Sequence, residues 1–252
     1  MKKNKTGKII KVGILGHGEI GSSLAKFYKN PKIKDLRRDD NLIGVDILHV
    51  CIPYNDEFLD IVRKEIVEIK PKLTIIHSTV ALGTVKKLVL DLPKELSMVV
   101  HSPVRGNHPH LHKSMKVFVK YIGADSKKAG LLAAKHLKSL GIKTKVFYPS
   151  KTTEALKLWD TTQYGWMIIL NKEIKKWCDE NGLDFEKIYT DANKSYHEGY
   201  KKFGRPEVLR PYLKHVPGKI GGHCVIPNCE ILGSEIAALI LQKNSAYNKK
   251  DS

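Results

Sequence analysis

The sequence predicts an α/β fold in which a doubly wound, mostly parallel sheet is followed by an all-helical part. The first half of the chain alternates short apolar segments with segments of helical periodicity, which is the pattern of a parallel sheet. A glycine-rich turn follows the first apolar segment, and a long helical pattern begins soon after Pro149. The 252 residues suffice for two modest domains, which we expect at residues 1–150 and 151–252.

Each apolar segment of the first half has the length of a buried strand, and helical periodicity fills the stretches between them. Strands are expected at Ile9–Leu15, Lys32–Leu36, Asp46–Ile52, Leu73–His77, Met98–His101, Val117–Ile122 and Lys145–Tyr148. Helices are expected at Ile20–Tyr28, Phe58–Ile69, Thr84–Leu90 and Lys127–Leu140. The second half is predicted to hold helices at Thr152–Asn181, Leu183–Tyr200 and Ile231–Gln242, with an irregular, proline-containing stretch at Phe203–Pro217.

The composition limits the partners and the compartment of the protein. A net charge of +18 favours anionic partners, but the lysines are spread along the chain and no basic block with interleaved aromatics occurs. We therefore expect an anionic small-molecule substrate and no nucleic acid. No apolar run is long enough to span a bilayer, and no apolar signal core follows Met1–Lys8, so the chain is expected to be cytoplasmic and free of membranes. The four cysteines form no C-x-x-C pair, which suits reduced thiols and indicates neither a zinc site nor a disulfide framework.

The glycine-rich turn has the pattern G-x-G-x-x-G between a predicted strand and a predicted helix. In that context the pattern indicates a Rossmann-type dinucleotide site, in which the first glycine permits the turn, the second lets the backbone approach a pyrophosphate, and the third lets helix and strand pack closely. Unpaired N–H groups at the start of the helix would then face the phosphates. The cofactor-binding candidates in this turn are Gly16, His17, Gly18, Glu19, Ile20 and Gly21.

An acidic residue that binds the adenosine ribose is expected about 20 residues beyond the first glycine. Asp35 fits that spacing, and Asp39 is the second choice. Arg37 and Arg38 follow Asp35 closely and are suited to a 2′-phosphate. The sequence therefore predicts NAD or NADP as the cofactor without deciding between them.

Two segments of the second half contain side chains suited to catalysis. Cys224 follows Gly221, Gly222 and His223, and a thiol next to flexible backbone is a candidate nucleophile. Lys157 and Thr161 stand four residues apart on the long predicted helix and share one face. A lysine beside a cofactor cleft can polarise a carbonyl or an alkoxide.

Four histidines occur between His101 and His112, directly after a predicted strand. They are candidates for a metal site, but no carboxylate or cysteine is interleaved with them, and we predict no metal. The alternative is a substrate clamp in which Arg105 binds an anionic group and His101 or His108 acts as an acid or base. A polar surface loop is the remaining interpretation.

Several of these segments occur in the order seen in nucleotide-sugar dehydrogenases, the UDP-glucose, GDP-mannose and UDP-N-acetylmannosamine enzymes. The chain resembles that family over roughly residues 9 to 230. The segments that carry the resemblance are the glycine loop, Ile52-Pro53, His77-Ser78-Thr79-Val80 followed by Gly83-Thr84, Ser102-Pro103, Glu154-x-x-Lys157 leading to Glu173, and Gly221-Gly222-His223-Cys224.

The resemblance implies a fold like that of 6-phosphogluconate dehydrogenase, bound NAD and a homodimer built on the long helix. It implies that Cys224 adds to an aldehyde intermediate, forming a thiohemiacetal that loses a second hydride and becomes a thioester, which is then hydrolysed. Lys157 would stabilise the oxyanion, with Thr161 on the same helix face, and Thr79 would position cofactor or water. Pro53 and Ser78 would border the cofactor, whereas Gly221, Gly222 and His223 would border the substrate.

The sequence departs from the family pattern at several positions. The family has a proline two residues after the cysteine and an aspartate two further on, whereas here Pro227 is three after Cys224 and Asn228 follows. Val104 replaces a glutamate after the Ser-Pro pair, and Thr161 replaces an asparagine four residues after the lysine. The chain ends at residue 252, so we expect it to lack the family's C-terminal nucleotide-sugar-binding domain.

These departures leave several functions open. The first is an NAD(P)-dependent dehydrogenase that oxidises the alcohol of a sugar nucleotide or another anionic metabolite. The second is a two-electron hydroxy-acid or prephenate-like dehydrogenase without covalent catalysis. The third is a non-catalytic nucleotide-binding dimer.

Overall fold

The computed structural model describes residues 10–247, and the chain divides into two compact units between Lys157 and Leu158. The strands of the first unit are β1 Val12–Leu15, β2 Lys32–Asp35, β3 Arg38–Asp39, β4 Ile47–Val50, β5 Leu73–Ile76, β6 Val99–His101, β7 Lys120–Ala124 and β8 Thr144–Phe147. Its helices are α1 Glu19–Ala25, α2 Phe58–Ile69, α3 Thr84–Leu90, α4 Leu111–Val117, α5 Lys127–Ser139 and the first turns of α6 Lys151–Glu180.

The strands form one sheet in the order β3-β2-β1-β4-β5-β6-β7-β8. Five neighbouring pairs run parallel and two run antiparallel, namely β2 with β3 and β6 with β7. The predicted mostly parallel sheet is therefore confirmed. Because β7 runs against β6, the first residue of β7 lies beside the carboxyl end of β6, which is the edge where β1, β4 and β5 also end.

Helices cover both faces of the sheet, as a doubly wound fold requires. On one face, Leu48 and Val50 of β4 pack with Phe58, Val62 and Ile66 of α2. On the other face, Ile47 of β4 packs into a second cluster with the small side chains of α5. The alternation along β4 follows from the two-residue period of a strand, and both faces are buried.

The second unit is helical in the residues described, which confirms the predicted fold class. It contains the rest of α6, a wide helical segment at Glu186–Asp191, α7 Ala192–Lys202, α8 Val225–Leu232 and α9 Glu235–Ser245. Gly165 of α6 lies so close to α8 that a Cβ atom there would be 2.5 Å from Cγ1 of Val225. Every helix within residues 10–247 is too short or too polar to span a bilayer.

Two predicted elements are wrong, and one is only partly described. The predicted strand Val117–Ile122 begins too early, because Val117 ends α4, the exposed Phe118 and Val119 form the connection, and the strand β7 begins at Lys120. The predicted helix Ile231–Gln242 is the end of α8 and most of α9, since Gly233 adopts a φ of 59° and ends α8. Ile9, the first residue of the first predicted strand, lies outside the described residues.

A chain of buried polar side chains crosses the interior of the first unit. His77 Nδ1 donates to the carbonyl oxygen of Ser102 at 2.9 Å, so His77 Nε2 accepts from His49 Nδ1 at 2.8 Å. His49 Nε2 then accepts from the Tyr28 hydroxyl at 2.8 Å, which in turn accepts from His136 Nε2 at 2.7 Å. We call these four side chains the imidazole chain. The carbonyl at its end can only accept, and this determines the direction of every hydrogen bond in it.

Burial keeps the three imidazoles of this chain neutral. Desolvation lowers the pKa of His49 and His77 well below the usual value and lowers the pKa of His136 to about 4. His136 Nδ1 is buried without a hydrogen-bond partner among the described residues. The imidazole chain therefore ends in a hydrogen bond at Ser102, whereas at its other end His136 Nδ1 has no partner among the described residues.

We predict that Tyr28→Phe lowers the free energy of unfolding by about 1–3 kcal/mol, because it leaves two buried imidazole nitrogens without partners. Tyr54→Phe is the matched control, since the Tyr54 ring packs on Phe58 and its hydroxyl makes no hydrogen bond within residues 10–247. Denaturation should be followed by circular dichroism, because all three tryptophans, Trp159, Trp166 and Trp177, lie in the second unit. Equal stability of the two variants would show that the hydroxyl of Tyr28 contributes nothing.

Candidate cofactor and substrate site of the first unit

The glycine turn joins β1 to α1 with almost no space around two of its three glycines. Gly16 has a φ of +91°, and a Cβ atom there would be 2.8 Å from the carbonyl carbon of Cys51. A Cβ atom on Gly21 would be 1.9 Å from the carbonyl oxygen of Gly16. Gly18 directly precedes α1, and a Cβ atom there would have open space around it to at least 4 Å. The turn therefore needs glycine at positions 16 and 21 for packing, whereas at position 18 it leaves its backbone open.

Asp35 ends β2 beside the glycine turn. Its Oδ2 atom accepts a hydrogen bond from the backbone N–H of His17 at 2.5 Å, and Gly16 N donates to the carbonyl of Lys34 at 2.8 Å. Its other oxygen, Oδ1, has no hydrogen-bond partner among residues 10–247. Asp35 is thus attached to the turn and presents one carboxylate oxygen there.

The two arginines after Asp35 differ in their surroundings. The guanidinium of Arg38 lies 2.7 Å from the Asp40 carboxylate and lowers the pKa of that group through a side-chain hydrogen bond. Arg37 lies in the exposed turn between β2 and β3. Asp39, the second choice for a ribose contact, accepts from the backbone N–H of Asn41 at 2.8 Å.

The carboxyl ends of β4, β5 and β6 are connected by side chains that cross from one strand end to the next. The Ser78 hydroxyl donates to the carbonyl of Ile52 at 2.5 Å, next to Pro53. His101 Nε2 donates to the carbonyl of Ser78 at 3.0 Å, and its Nδ1 accepts from the hydroxyl of Thr153 at 2.9 Å. Thr79, half-buried, follows directly after this connection.

His101 is unsuited to the acid–base role predicted for it. It is fully buried, both of its ring nitrogens are hydrogen-bonded, and burial lowers its pKa to about 3. Its contacts make it a connection between the strand ends and the first turn of α6.

The first turn of α6 is attached to the beginning of α3. Glu154 is fully buried, and its carboxylate accepts from the backbone N–H of Gly83 at 2.5 Å and of Val85 at 2.9 Å. Burial raises the pKa of this carboxyl, and the two N–H groups oppose that shift. Within the Glu-x-x-Lys motif, therefore, the glutamate has a structural role.

Lys157 follows one turn later and is half-buried. Burial is the largest cause of the lowered pKa values of His101 and Lys120. The hydrogen bond to Ser78 opposes that shift in His101, whereas the positive charge of Lys157 lowers both pKa values further. The Lys157 ammonium group therefore lies near His101 and Lys120, at the carboxyl edge of the sheet.

The histidines of the loop between His101 and His112 have separate partners and do not form one cluster. His108 Nδ1 lies 2.8 Å from the Glu19 carboxylate at the start of α1, and His112 Nδ1 contacts the carbonyl of Ser23 at 3.2 Å. No group of three or more metal-ligating side chains occurs within residues 10–247. Arg105 lies with its guanidinium carbon 5.2 Å from the centre of the Tyr121 ring.

The cysteine candidate belongs to the second unit. Cys224 directly precedes α8 and is half-buried, whereas Cys51, Cys178 and Cys229 are buried. Gly221, Gly222 and His223 before it are exposed, and Gly222 has a φ of +80°. The thiol therefore follows a stretch of accessible backbone.

Two positions that depart from the family pattern contact each other in the second unit. Asn228 Nδ2 donates to the Thr161 hydroxyl at 3.0 Å, and that hydroxyl donates to the carbonyl of Leu158. The segment before Cys224 is held by Lys172, whose ammonium donates to the carbonyls of Val216 and of Gly218. Thr161 and Asn228 thus form a neutral pair.

Sequence reasoning missed the buried lysine of the first unit and the whole imidazole chain. Lys120 is one of 44 basic residues, and only its burial distinguishes it from a surface lysine. His49, the sole polar residue within the strand Ile47–Val50, is the signal that could have indicated a buried polar cluster.

The sheet order, the glycine turn at the end of β1 and the helical second unit define the class as a Rossmann-type fold followed by a helical domain. No protein-family model and no curated protein matches the chain significantly.

Solved structures do match. The UDP-D-ManNAc dehydrogenase of Pyrococcus horikoshii is 20% identical with a TM-score of 0.74, over 93% of this chain and 68% of that one. The UDP-glucose dehydrogenase of Pyrobaculum islandicum is 14% identical with a TM-score of 0.68, over 97% and 70%. The 3-hydroxyisobutyrate dehydrogenase of Mycobacterium tuberculosis is 13% identical with a TM-score of 0.65, over 95% of each chain. The resemblance to nucleotide-sugar dehydrogenases is confirmed at the level of the fold, and the fold is also similar to that of a hydroxy-acid dehydrogenase.

We predict that Gly18→Ala leaves the folded structure intact but weakens NAD⁺ binding at least tenfold, because the added methyl group occupies open space that a pyrophosphate would need. Gly21→Ala should instead lower the unfolding midpoint, since its Cβ atom would overlap the Gly16 carbonyl. Gly199→Ala on α7, also with open space around it, is the control for both measurements. Calorimetric titration and thermal unfolding separate the two effects, and unchanged NAD⁺ affinity in Gly18→Ala would exclude this turn as the cofactor cradle.

Proposed function

We propose that the protein is a nicotinamide-dependent dehydrogenase that oxidises the CH–OH group of an anionic small molecule. The observation that carries the proposal is that the glycine turn with the Asp35 carboxylate, and Lys157 near His101 and Lys120, both belong to the carboxyl edge of the sheet of the first unit. The likeness in fold to sugar-nucleotide and hydroxy-acid dehydrogenases supports the same class.

The residues of this edge fit a dinucleotide. The turn Gly16–Gly21 would hold the pyrophosphate, because Gly18 leaves the backbone open there, and Asp35 Oδ1 would accept from a ribose hydroxyl. Bound NAD⁺ would supply the hydride acceptor. The charge of Asp35 and the pairing of Arg38 with Asp40 favour NAD over NADP, whereas Arg37 is the residue that favours NADP. Titration with both dinucleotides decides between them.

Lys157 would act on the substrate oxygen. Its ammonium group can donate a hydrogen bond to that oxygen and stabilise the negative charge that forms as the hydroxyl proton leaves. Thr79 would orient the same oxygen, and the connection of Ser78 to His101 keeps the backbone before Thr79 in place. The charge of Lys157 would therefore stabilise the transition state more than the bound substrate.

We predict that Lys157→Met lowers kcat by roughly 10²–10³-fold, the usual effect of removing one group that stabilises an oxyanion, and leaves NAD⁺ affinity within twofold. Lys128→Met, which removes an exposed charge from α5, is the control and should keep full activity. Both are measured as reduced cofactor formed with a panel of hydroxy acids and sugar nucleotides. Dinucleotide binding without turnover by the wild type on the whole panel would favour the non-catalytic nucleotide-binding dimer.

Cys224 would carry a second oxidation. Its thiolate would add to the aldehyde carbon to form a thiohemiacetal. A second bound NAD⁺ would supply the hydride acceptor that converts this adduct to a thioester, and water would then hydrolyse the thioester to the acid and the free thiol. The accessible backbone before Cys224 and its partial exposure support this role. The neutral pair of Thr161 and Asn228, and the match along 95% of the 3-hydroxyisobutyrate dehydrogenase chain, favour the alternative of a two-electron hydroxy-acid dehydrogenase.

Cys224→Ala distinguishes these two functions. Covalent catalysis predicts that the wild type forms two NADH per alcohol and that the variant forms at most one. Cys178→Ala, which alters a fully buried thiol of the same unit, controls for effects on folding. One NADH per alcohol and equal rates in wild type and Cys224→Ala would establish the two-electron reaction.

An exposed apolar stripe on α6 supports the homodimer that the resemblance implies. Trp159, Leu170 and Trp177 are spaced by whole numbers of helical turns, and about half of each side chain is exposed. We propose this stripe as the contact between two copies of the chain.

A further inference from the structure

Lys120, the first residue of β7, is buried at the carboxyl edge of the sheet, with 4% of its surface exposed. Its ammonium nitrogen donates to the carbonyl oxygens of Ser102 at 2.8 Å and of Pro103 at 3.1 Å. The antiparallel pairing of β7 with β6 brings it to this edge, since His101 pairs with Gly123 and the chains continue past each other. Lys120 therefore holds the two residues that follow β6.

The same turn has three further attachments. The Ser102 carbonyl also accepts from His77 Nδ1 at 2.9 Å, and the Ser102 hydroxyl donates to the carbonyl of Tyr121 at 2.9 Å. Beyond the turn, the Arg105 guanidinium lies over the Tyr121 ring. The stretch from Ser102 to Arg105 is thus attached by five contacts, four of them with Lys120 or Tyr121.

The imidazole chain anchors this turn and cannot conduct protons to Lys120. The Ser102 carbonyl oxygen accepts from His77 on one side and from Lys120 on the other. A carbonyl oxygen that only accepts passes no proton between two donors. The geometry is therefore that of a support for backbone atoms.

Holding backbone atoms with a buried ammonium group costs free energy, because the charge is removed from water. Burial lowers the pKa of Lys120 to about 7, and its hydrogen-bond acceptors within residues 10–247 are neutral carbonyls. An apolar side chain would pack in this place without desolvating a charge, so the ammonium group is unfavourable for stability. Such a residue at the carboxyl edge of the sheet is a candidate for function.

We propose that Lys120 is a positioning residue, which fixes the Ser102–Pro103 backbone so that Arg105 faces a carboxylate or phosphate of the substrate. Arg105 and Lys157 bring two positive charges to this edge, Lys120 with its pKa of about 7 adds a partial one at neutral pH, and the residue before Arg105 is the apolar Val104. The proposal rests on the proposed dehydrogenase function for the identity of the ligand, and on the contacts above for the role of Lys120.

The test measures binding of two anionic probes, oxalate and inorganic phosphate, by calorimetric titration of the full chain with saturating NAD⁺. We expect at least one probe to bind the wild type, Arg105→Gln to abolish that binding, and Lys120→Met to weaken it at least tenfold. Lys120→Arg should recover part of the affinity. Lys113→Met removes an exposed charge from neighbouring α4 and should change nothing. The preferred probe tells whether the substrate group is a carboxylate or a phosphate.

Two readouts distinguish positioning from a general structural role. The thermal midpoint of Lys120→Met should stay close to that of the wild type, because the relief from burying an ammonium group offsets the lost partner of the Pro103 carbonyl, and amide hydrogen exchange should increase in residues 102–107 and not elsewhere. If Lys120→Met fails to fold, Tyr121→Leu removes the platform under Arg105 and should weaken the same probe. Unchanged probe binding in a folded Lys120→Met, or probe binding that survives Arg105→Gln, would overturn the proposal.

The same titrations distinguish a failure of the Lys120 proposal from a failure of the dehydrogenase proposal. A wild type that binds NAD⁺ but neither anion contradicts the role of Lys120 and Arg105 and leaves the dehydrogenase proposal standing. A wild type that binds an anion through Arg105 without binding a dinucleotide contradicts the dehydrogenase proposal and supports the role of Lys120.

Discussion

The carboxyl edge of the parallel strands depends on side chains that satisfy the backbone carbonyls exposed where each strand ends. Ser78 joins the ends of β4 and β5, His101 joins β5 to β6 and to the start of α6, and His77 together with Lys120 satisfies Ser102. Buried carbonyl and imidazole groups without partners are costly, so each of these bonds restricts where the next strand can end. The same edge includes the glycine turn after β1, and through His101 and Thr153 it is attached to the start of α6, the helix that contains Lys157.

The strands, the glycine turn and the long helix could be predicted because each has a local signal. The β1–α1 turn needs glycine because Cβ atoms at Gly16 and Gly21 would overlap nearby backbone atoms. The helix α6 has helical periodicity over eight turns. The acidic residue at the end of β2 follows from spacing within one βαβ unit, and Asp35 indeed lies beside the turn.

The remaining features depend on contacts between distant parts of the chain. The pairing of Tyr28 with His136 joins residues 108 positions apart, and no local pattern distinguishes Lys120 from a solvated lysine. The glutamate of Glu-x-x-Lys has the spacing of a catalytic motif but caps the beginning of α3. The helix α8 was missed because its short sequence contains a proline and directly follows the glycines before Cys224.

The neutral histidines in the sheet interior also couple the first unit to the acidity of its surroundings. An unfolded histidine takes up a proton near pH 6.5, whereas the folded pKa values are lowered to about 4 for His136 and to about 3 for His101. Below pH 6.5 the unfolded state therefore binds more protons than the folded state, and stability falls until the folded values are reached. Lys120 acts in the same direction between its unfolded pKa and its folded value of about 7. The buried histidines thus make the first unit less stable as the pH falls below 6.5.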